Sequence, residues 1–464
     1  MNRVRARIPR LLIGGVSSGV GKSLFMTGLI VALRKEGMSV SCCVTGSALH
    51  QSLIYSRLSR RYSHSIDRRI LEPEQVIAAI LEAERGADIV LIDGHGGFYD
   101  GPTPGDEFGS DADVANLTQT PAVLVGNMPE YSNSLAALVR GFCQFSDKDL
   151  IKGLVANRVV LPEDVGPILK NPGMALLNAG MDTYGLPRLV AGIPPAHFNT
   201  PLPGVECSQR ENITALPREF FLDLASLVAH HVDVGELMAI AELAPALSLT
   251  SQDPVMRAGV ARIAVSDDVC FNVAYQDNLA WLVRYGAEII PFSPLADIEL
   301  PKNVGGIYIT GGYLDVYGEE LSRNQRIRES IKNFAQRGGV VYSEGAGTAY
   351  LCSSYQFVAG QAPFPGVGLI DQEAIRLNNP IGVVKAAIVE DCILGRAGAC
   401  VQGISSGEWG LRGLGAGSSA GIINTMRLVV GDGLPFNEGL SSASQALSTF
   451  HFFHFGSNPQ VARA

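Results

Sequence analysis

The feature that most restricts the fold of this chain is a glycine-rich loop between an apolar stretch and a helical one. The short apolar segment Arg10–Ile13 leads into the run G-V-S-S-G-V-G-K-S at 15–23, and Lys22–Lys35 follows with helical periodicity. Glycines let successive backbone N–H groups turn inward around a polyphosphate, and the N-terminal end of the next helix adds positive potential. A strand, a phosphate loop and a helix in this order predict a nucleotide-binding α/β domain built on a parallel sheet.

We expect this loop to bind a nucleotide through its backbone and two side chains. Lys22 can reach the outer phosphates, and the Ser23 hydroxyl can ligate Mg²⁺. Val16 departs from the strict pattern, which has glycine five residues before Gly21, and a chance glycine turn is the alternative interpretation. The predicted nucleotide-binding residues of the loop are Gly15, Ser17, Ser18, Gly19, Val20, Gly21, Lys22 and Ser23.

A second candidate site follows an apolar strand, in the run I-D-G-H-G-G-F-Y-D-G at 92–101. A carboxylate at the end of a strand beside a phosphate loop suits a Mg²⁺ ligand or a group that positions water. We therefore assign Asp93 to metal binding and catalysis, with Lys22 as its catalytic partner. Asp100 is assigned a catalytic role in the substrate loop, although the pair Asp100-Gly101 also fits a simple turn. We assign no role to His95.

Apolar strands alternate with helices in both halves of the chain, which is typical of parallel sheets covered on both faces. The longest predicted helical regions are Pro217–Leu243 and Glu319–Arg337, and a polar stretch containing S-L-T-S-Q-D-P separates the halves. The chain is therefore predicted to be an α/β protein with two domains, 1–244 and 262–464, joined by a linker at 245–261.

Composition excludes several classes of protein. The 464 residues carry a net charge of −9, whereas a protein that coats nucleic acid needs a basic face. No stretch of 18 apolar residues is present, so we expect no spanning helix and no membrane partner. Eight cysteines without a C-x-x-C pair indicate neither a disulfide framework nor a zinc site. We predict a reduced, cytoplasmic protein.

With these residues located, the chain resembles the cobyrinic acid a,c-diamide synthase family over almost its full length. Those enzymes use ATP and glutamine to amidate peripheral carboxylates of a corrinoid or related tetrapyrrole. The shared motifs keep their order and spacing. They are GVSSGVGKS (15–23), IDGHGGFYDG (92–101), GSDADVA (109–115), GLVANRV (153–159), VDVGELMAIA (232–241), RIAVSDDVCFNVAYQDNL (262–279), FSPLAD (292–297), GGYLD (311–315), VVYSEGAGTAYL (340–351) and HFGSNP (454–459).

The resemblance implies roles for both domains. A P-loop NTPase-like domain would activate a carboxylate by phosphoryl transfer from ATP with Mg²⁺, and a class I glutamine amidotransferase-like, flavodoxin-like domain would supply ammonia. By matching motif, Asp93 replaces the family's usual glutamate, and Asn157 and Arg158 lie where the adenine site is expected. The implied partners are a tetrapyrrole or corrinoid polycarboxylate and a second copy of the chain in a homodimer.

The amidotransferase-like domain departs from the family at its nucleophile. The family has a cysteine in a sharp turn, in a context like A-E-C-G-G-L-M-Y-L, and the matching residue here is Gly345. Without a side chain no thiolate and no glutamyl thioester can form, and Cys352 lies about two helical turns further on. Near the C-terminus, Phe452 takes the place of the first histidine of Y-x-H-L-H-F and His454 keeps the second. If the alignment with the family motif is shifted by one residue, His451 is the retained histidine instead.

The first domain also departs from the family. After the second strand the family carries a run like F-K-V-G-P-D-Y-I-D-P, whereas Val44 replaces the lysine here and Ala48 and Gln51 replace both aspartates. Losing a cation and carboxylates at a phosphoryl-transfer site costs several kcal/mol of transition-state stabilisation in typical enzymes. A basic cluster follows, which suits either a polycarboxylate substrate or a solvated helix face. Its members are Arg57, Arg60, Arg61, Arg68 and Arg69, with His50 and His64 nearby.

Three functions remain open on these grounds. The first is an ATP-dependent tetrapyrrole amidase that takes ammonia from solution or from a partner glutaminase. The second is a non-catalytic nucleotide-binding paralogue that acts as a scaffold, carrier or regulator for a true synthase. The third is a nucleotide-switched partitioning ATPase, against which the amidotransferase-like second domain argues.

Overall fold

A computed structural model describes most of the chain. The described ranges are 2–128, 133–159, 187–194, 217–251, 261–358, 360–379, 381–412, 423–431, 433–441 and 445–463. The chain divides into two compact units, Met1–Gln252 and Asp253–Ala464. Within the described ranges, every helix is too short or too polar to cross a bilayer.

A seven-stranded parallel sheet forms the centre of the first unit, in the order β4-β3-β5-β2-β6-β7-β8. Strands β2, β3 and β5 are buried at every position, which agrees with the continuous apolar runs that predict a sheet covered on both faces. The strands of this unit are β1 Asn2–Ala6, β2 Arg10–Gly15, β3 Val40–Val44, β4 His64–Ser65, β5 Ile89–Asp93, β6 Ala122–Asn127, β7 Ile151–Asn157, β8 Arg188–Ile193 and β9 Leu247–Ser251.

The helical region predicted at Pro217–Leu243 consists of two helices. Asp233 separates them, because its side chain accepts a hydrogen bond from Glu236 N at 2.9 Å and caps the second helix. The helices of the unit, numbered through the described residues, are α1 Lys22–Lys35, α2 Leu49–Ser59, α3 Pro73–Glu84, α4 Asp111–Thr118, α5 Asn133–Phe145, α6 Arg218–His231 and α7 Val234–Ala241.

Part of the predicted linker 245–261 is packed into the first unit. Its strand Leu247–Ser251 pairs antiparallel with Asn2–Ala6. The fully buried Arg10 donates to Pro245 O at 2.8 Å and to Glu84 Oε1 at 2.7 Å. The remainder of the linker, 252–260, lies outside the described residues.

The second unit contains a ten-stranded sheet in the order β12-β10-β13-β15-β24-β23-β22-β19-β20-β25. The four pairings among its first five strands are parallel, and the remaining pairings are antiparallel. These strands are β10 Ala261–Ser266, β12 Ala287–Phe292, β13 Gly306–Ile309, β15 Val340–Glu344, β19 Gly382–Ile388, β20 Cys400–Ser405, β22 Ile423–Val430, β23 Phe436–Ser441, β24 Ala446–Thr449 and β25 His451–His454. The α/β class is confirmed for both units.

Smaller sheets complete the second unit. One pairs β11 Phe271–Val273 with β14 Gly311–Gly312, and the other has the order β17-β16-β18-β21. The strands of the latter are β16 Cys352–Gln356, β17 Phe364–Pro365, β18 Ile370–Arg376 and β21 Trp409–Leu411. The alternation of strands and helices did not predict the antiparallel pairings that follow residue 352.

The prediction of one continuous helix at Glu319–Arg337 is wrong. Two helices occupy this region, Leu314–Arg323 and Gln325–Gln336. Asn324 interrupts them, because its side chain accepts from Ile327 N and caps the second helix. The helices of the unit are α8 Gln276–Arg284, α9 Leu314–Arg323, α10 Gln325–Gln336 and α11 Ala346–Leu351, with 3₁₀ turns at Phe455–Ser457 and Val461–Arg463.

Candidate functional site

The glycine-rich loop joins β2 to α1 at the carboxyl edge of the parallel sheet. Gly19 and Gly21 have φ angles of 74° and 94°, in the left-handed region that favours glycine. At Gly21 a side chain would also collide, because its Cβ would lie 2.3 Å from Asn157 Nδ2. That amide donates to Val20 O at 2.8 Å, so the end of β7 fixes the loop just before the helix begins.

The Lys22 side chain connects this loop to the segment after β5. It is 6% exposed, and its Nζ donates to Gly96 O at 2.6 Å and to Ser17 O at 3.4 Å. A buried ammonium held by carbonyl oxygens can exchange them for phosphate oxygens when a nucleotide binds.

Asp93, the last residue of β5, lies directly against α1. Its Oδ2 accepts from Ser23 Oγ at 3.1 Å and from Tyr55 OH at 2.6 Å. Its Oδ1 is buried and has no hydrogen-bond partner among the residues that the structure describes. Burial raises the pKa of Asp93 to about 6, against the opposing effects of the Tyr55 hydroxyl, the Lys22 charge and the Ser23 hydroxyl.

A second buried carboxylate, Asp111 at the start of α4, holds the backbone beside Asp93. Its Oδ1 accepts from Thr45 Oγ1 at 2.7 Å and from His95 N at 3.0 Å. Burial raises the pKa of Asp111 to about 7. These bonds join the end of β3 to the loop that follows β5.

A cavity of about 450 Å³ opens in front of the loop, a size within the range of small-molecule sites. Its polar wall includes Lys22, Ser23, Asp93 and Asn157, and its apolar wall includes side chains of α6. The full lining is Ser18, Gly19, Gly21, Lys22, Ser23, Leu24, Phe25, Ala48, Gln51, Asp93, Gly94, His95, Asn157, Arg158, Ile193, Pro194, Leu224, Leu227 and Val228.

The predicted site residues are only partly brought together. Gly15, Ser17 and Val20 belong to the loop but not to the described cavity lining, although Val20 supplies the carbonyl bound by Asn157. Asp100 is exposed and also outside that lining, and its N–H donates to Gly97 O at 2.9 Å in a turn.

The donor set fits Mg²⁺ held together with phosphate. The described residues include no group of three or more His, Cys, Asp or Glu side chains that could hold a metal ion. Mg²⁺ characteristically uses one or two carboxylates with water and substrate phosphates. Ser23 and Asp93, with one buried Asp93 oxygen unpartnered, would hold it in that manner.

The basic cluster is largely engaged in local contacts. Arg69 forms an ion pair with the fully buried Asp67, and Arg68 lies 3.5 Å from Asp113. Arg61 donates to Arg85 O. These contacts favour the structural interpretation of Arg61, Arg68 and Arg69. The neighbouring Ala48 and Gln51 line the cavity without contributing charge.

Gly345 occupies the position at which the family resemblance places the nucleophilic cysteine. Gly345 lies between β15 and α11 with φ 53° and ψ −123°, a conformation that is strained for any other residue. A Cβ at this position would lie 2.6 Å from Phe452 Cζ. The ring of Phe452 therefore occupies the space in which a side chain at 345 would begin.

Glu344, which directly precedes this turn, is buried and accepts three hydrogen bonds. Glu344 accepts from Tyr308 OH and Tyr342 OH, each at 2.6 Å, and from Phe453 N at 3.0 Å. Burial raises the pKa of Glu344 to about 7. Three donors therefore fix the position of this carboxyl.

Cys352, His451 and His454 were the candidates to replace a nucleophile or its base, and each has local partners. Cys352 is fully buried, its Sγ donates to Thr348 O, and burial raises its thiol pKa far above the ordinary value, which suppresses the thiolate. His451 Nε2 lies 2.8 Å from a Glu438 oxygen. His454 is 1% exposed and its Nδ1 accepts from Gly456 N.

Sequence analysis missed three residues that shape the first site. Tyr55, Thr45 and Asp111 reach it from α2, from the end of β3 and from α4. Asp111 lies within the shared motif at 109–115, which is the one signal that could have identified it. Tyr55 carries no such signal, because only the packing of α2 brings its hydroxyl to Asp93.

Comparison with known proteins extends over both units. Residues 262–389 match the family described as CobB/CobQ-like glutamine amidotransferase domain. The chain is 32% identical to the cobyrinate a,c-diamide synthase of Archaeoglobus fulgidus, over 77% of this chain and 76% of that protein.

Two further relatives give similar coverage. The chain is 30% identical to the hydrogenobyrinate a,c-diamide synthase of Streptomyces coelicolor, over 85% of this chain and 86% of that protein. It is 28% identical to the cobyrinate a,c-diamide synthase of Leptospira interrogans serovar Lai, over 98% of this chain and 97% of that protein.

Proposed function

Because this chain belongs to the cobyrinate a,c-diamide synthase family, we propose that it is an ATP-dependent ligase that amidates peripheral carboxylates of a corrinoid or related tetrapyrrole. The names of the relatives support the class of substrate. The glycine-rich loop, with Lys22 and Ser23 beside Asp93, supports the use of ATP and Mg²⁺.

The proposed reaction has two steps. A carboxylate oxygen of the substrate attacks the γ-phosphorus of ATP, and the bond between that phosphorus and the oxygen bridging to the β-phosphate breaks. ADP departs, and the substrate now carries an acyl phosphate. Ammonia then attacks the acyl carbon, phosphate departs with the bonding electrons, and the nitrogen loses a proton. A free carboxylate is a poor electrophile, and the first step gives it a leaving group.

Different residues around the cavity serve different parts of the first step. Lys22 exchanges Gly96 O for phosphate oxygens and offsets the charge that develops in phosphoryl transfer. Asn157 and Arg158 border the cavity where the nucleoside would lie. Mg²⁺, held by Ser23 and Asp93, would neutralise charge on the transferred phosphoryl group.

We propose that the chain does not hydrolyse glutamine and takes ammonia from solution or from a partner glutaminase. The contact between the Gly345 position and the Phe452 ring carries this proposal. Glutamine hydrolysis by this class of domain requires a nucleophile. Position 345 has no side chain, and the aromatic ring fills the space in which one would stand.

Mass spectrometry of the products tests this function directly. Purified protein is incubated with ATP, Mg²⁺ and a panel of corrinoid and sirohydrochlorin-type acids, with ammonia or glutamine in parallel. We expect products amidated at one or more carboxylates in the reaction with ammonia and none in the reaction with glutamine. Glutamine-dependent product from the isolated chain would contradict the assignment of Gly345.

The altered run after β3 favours a second candidate function. Val44, Ala48 and Gln51 remove a lysine and two aspartates that the family resemblance places near nucleotide and substrate. A protein with these changes could bind nucleotide and act as a scaffold, carrier or regulator of a true synthase. Bound ATP without product from either nitrogen source would establish this alternative.

A further inference from the structure

Tyr55 brings a buried hydroxyl to the carboxylate that the proposed function assigns to Mg²⁺. It belongs to α2, is 1% exposed, and its hydroxyl donates to Asp93 Oδ2 at 2.6 Å. A short hydrogen bond from a phenol to a carboxylate is among the stronger neutral-to-charged contacts. The proposed phosphoryl transfer does not itself require this hydroxyl.

The two oxygens of Asp93 are in different situations. Oδ2 accepts from both Ser23 Oγ and Tyr55 OH, whereas Oδ1 has no hydrogen-bond partner among the described residues. Asp93 is only 4% exposed, so water does not freely solvate the unpaired oxygen. The Tyr55 bond therefore fixes the rotation of the carboxylate about its Cβ–Cγ bond and determines which oxygen remains available.

We propose that Tyr55 is a positioning residue that holds Asp93 so that Oδ1 is presented to the divalent cation of the nucleotide complex. This inference rests on the proposed function, because it concerns the same nucleotide site. Groups that orient a metal ligand by hydrogen bonding contribute to affinity without touching the metal.

Tyr55 also lies on α2, the helix that begins within the altered run. Residues 44–51 carry the three substitutions, and α2 begins at Leu49. With Ala48 and Gln51 unable to supply a charged ligand, retention of the cation depends more heavily on Asp93 and on its orientation. The hydrogen bond from Tyr55 sets this orientation of the Asp93 carboxylate before a nucleotide or cation binds.

Mn²⁺ binding in the presence of ATP tests the proposal without measuring turnover. Free Mn²⁺ is counted by electron paramagnetic resonance while protein and ATP are held constant, for the wild type, Tyr55→Phe and Tyr308→Phe. Tyr308→Phe is a matched control, because it removes another buried hydroxyl that donates to a buried carboxylate, Glu344, at 2.6 Å. ATP binding in EDTA is measured in parallel.

Tyr55→Phe is expected to raise the Mn²⁺ dissociation constant about tenfold and to leave ATP binding in EDTA unchanged. Tyr308→Phe is expected to change neither quantity. Equal Mn²⁺ affinity in the wild type and Tyr55→Phe would overturn the positioning role and leave the proposed function standing. Loss of metal-free ATP binding in Tyr55→Phe would overturn it in favour of a structural role.

A wild-type protein that binds no Mn²⁺ with ATP would overturn both this inference and the proposed ATP chemistry. The wild-type titration therefore separates failure of the function from failure of the positioning role.

Discussion

The ring of Phe452 and the backbone of Gly345 are too close to admit a side chain between them. A Cβ at 345 would be 2.6 Å from Phe452 Cζ and 3.1 Å from Phe452 Cε2. By resemblance to the family, these two positions correspond to the nucleophile and to a histidine of the amidotransferase. A side chain therefore cannot be restored at 345 unless Phe452 moves or is replaced by a smaller residue.

We expect Gly345→Ala to destabilise the second unit by about 2–4 kcal/mol, from backbone strain and contact with the ring. Gly431→Ala is the matched control, because Gly431 has φ 54° and nothing within 4 Å of its Cβ position. That control should cost about 1–2 kcal/mol. Urea unfolding followed by tryptophan fluorescence reports on this unit alone, since both tryptophans, Trp281 and Trp409, belong to it. Equal losses of unfolding free energy in Gly345→Ala and Gly431→Ala would contradict the steric argument.

Gly345→Cys alone should not produce a glutaminase. The new side chain would have to displace Phe452, and no histidine would face it from that position. The double variant Gly345→Cys with Phe452→His should unfold at a higher urea concentration than Gly345→Cys, because the smaller ring relieves the contact. Glutamate release from glutamine is the measurement. Turnover by the single variant would show that the ring moves aside readily.

Lys22→Ala should abolish amidation and weaken ATP binding. Removing a preorganised cation from developing charge typically costs a factor of about 10²–10³ in rate. Lys35→Ala, at the exposed opposite end of the same helix, serves as the control and should leave both quantities unchanged. Calorimetric titration with ATP and the ammonia-dependent assay give the two readings. Unaltered ATP affinity in Lys22→Ala would place the nucleotide elsewhere.

Glu344 should make the stability of the second unit depend on pH. Burial raises its folded-state pKa from 4.5 to about 7, so between these values the folded protein binds more protons than the unfolded chain. Stability attributable to this group is therefore greatest below pH 4.5 and falls, by up to about 3 kcal/mol, as the pH rises to 7. Urea unfolding across this range should show the slope in the wild type and in Glu320→Gln, an exposed control. Glu344→Gln should lack it.

Arg10→Met should destabilise the first unit by about 3–5 kcal/mol, because it leaves the buried Glu84 carboxylate without its cation. The two side chains are 0% and 1% exposed and lie 2.7 Å apart. Adding Glu84→Met should recover much of the loss. Circular dichroism during urea unfolding measures the effect, and an unchanged tryptophan transition shows that it is confined to this unit. A single variant as stable as the wild type would contradict the prediction.

Local sequence patterns predicted much of the first unit. The helix Lys22–Lys35 has the predicted bounds, because its apolar periodicity agrees with the loops that flank it. The positions of the glycine-rich loop and of Asp93 were predictable for the same reason, since each lies at the end of a strand. What contacts them was not predictable, because Tyr55 and Asp111 reach Asp93 and its loop only after α2 and α4 pack on the sheet.

The second unit was harder to predict for a different physical reason. Asn324 ends one helix and begins another by capping, and a short polar residue within a helical pattern does not reveal which choice the chain makes. The antiparallel strands after residue 352 pair over long separations in sequence. Such pairings depend on cross-strand contacts and not on local preference.

Strand β15 has consequences for how the second unit assembles during synthesis. Its partners are β13, which precedes it, and β24, whose Ala446 pairs with Val341. The strand that carries the turn at Gly345 therefore has one open edge until nearly all of the unit has left the ribosome. Pairings between distant segments form slowly, and an open apolar edge is a template for association with other chains. A nascent chain arrested before Ala446 would be exposed to aggregation, with chaperone protection needed chiefly over that interval.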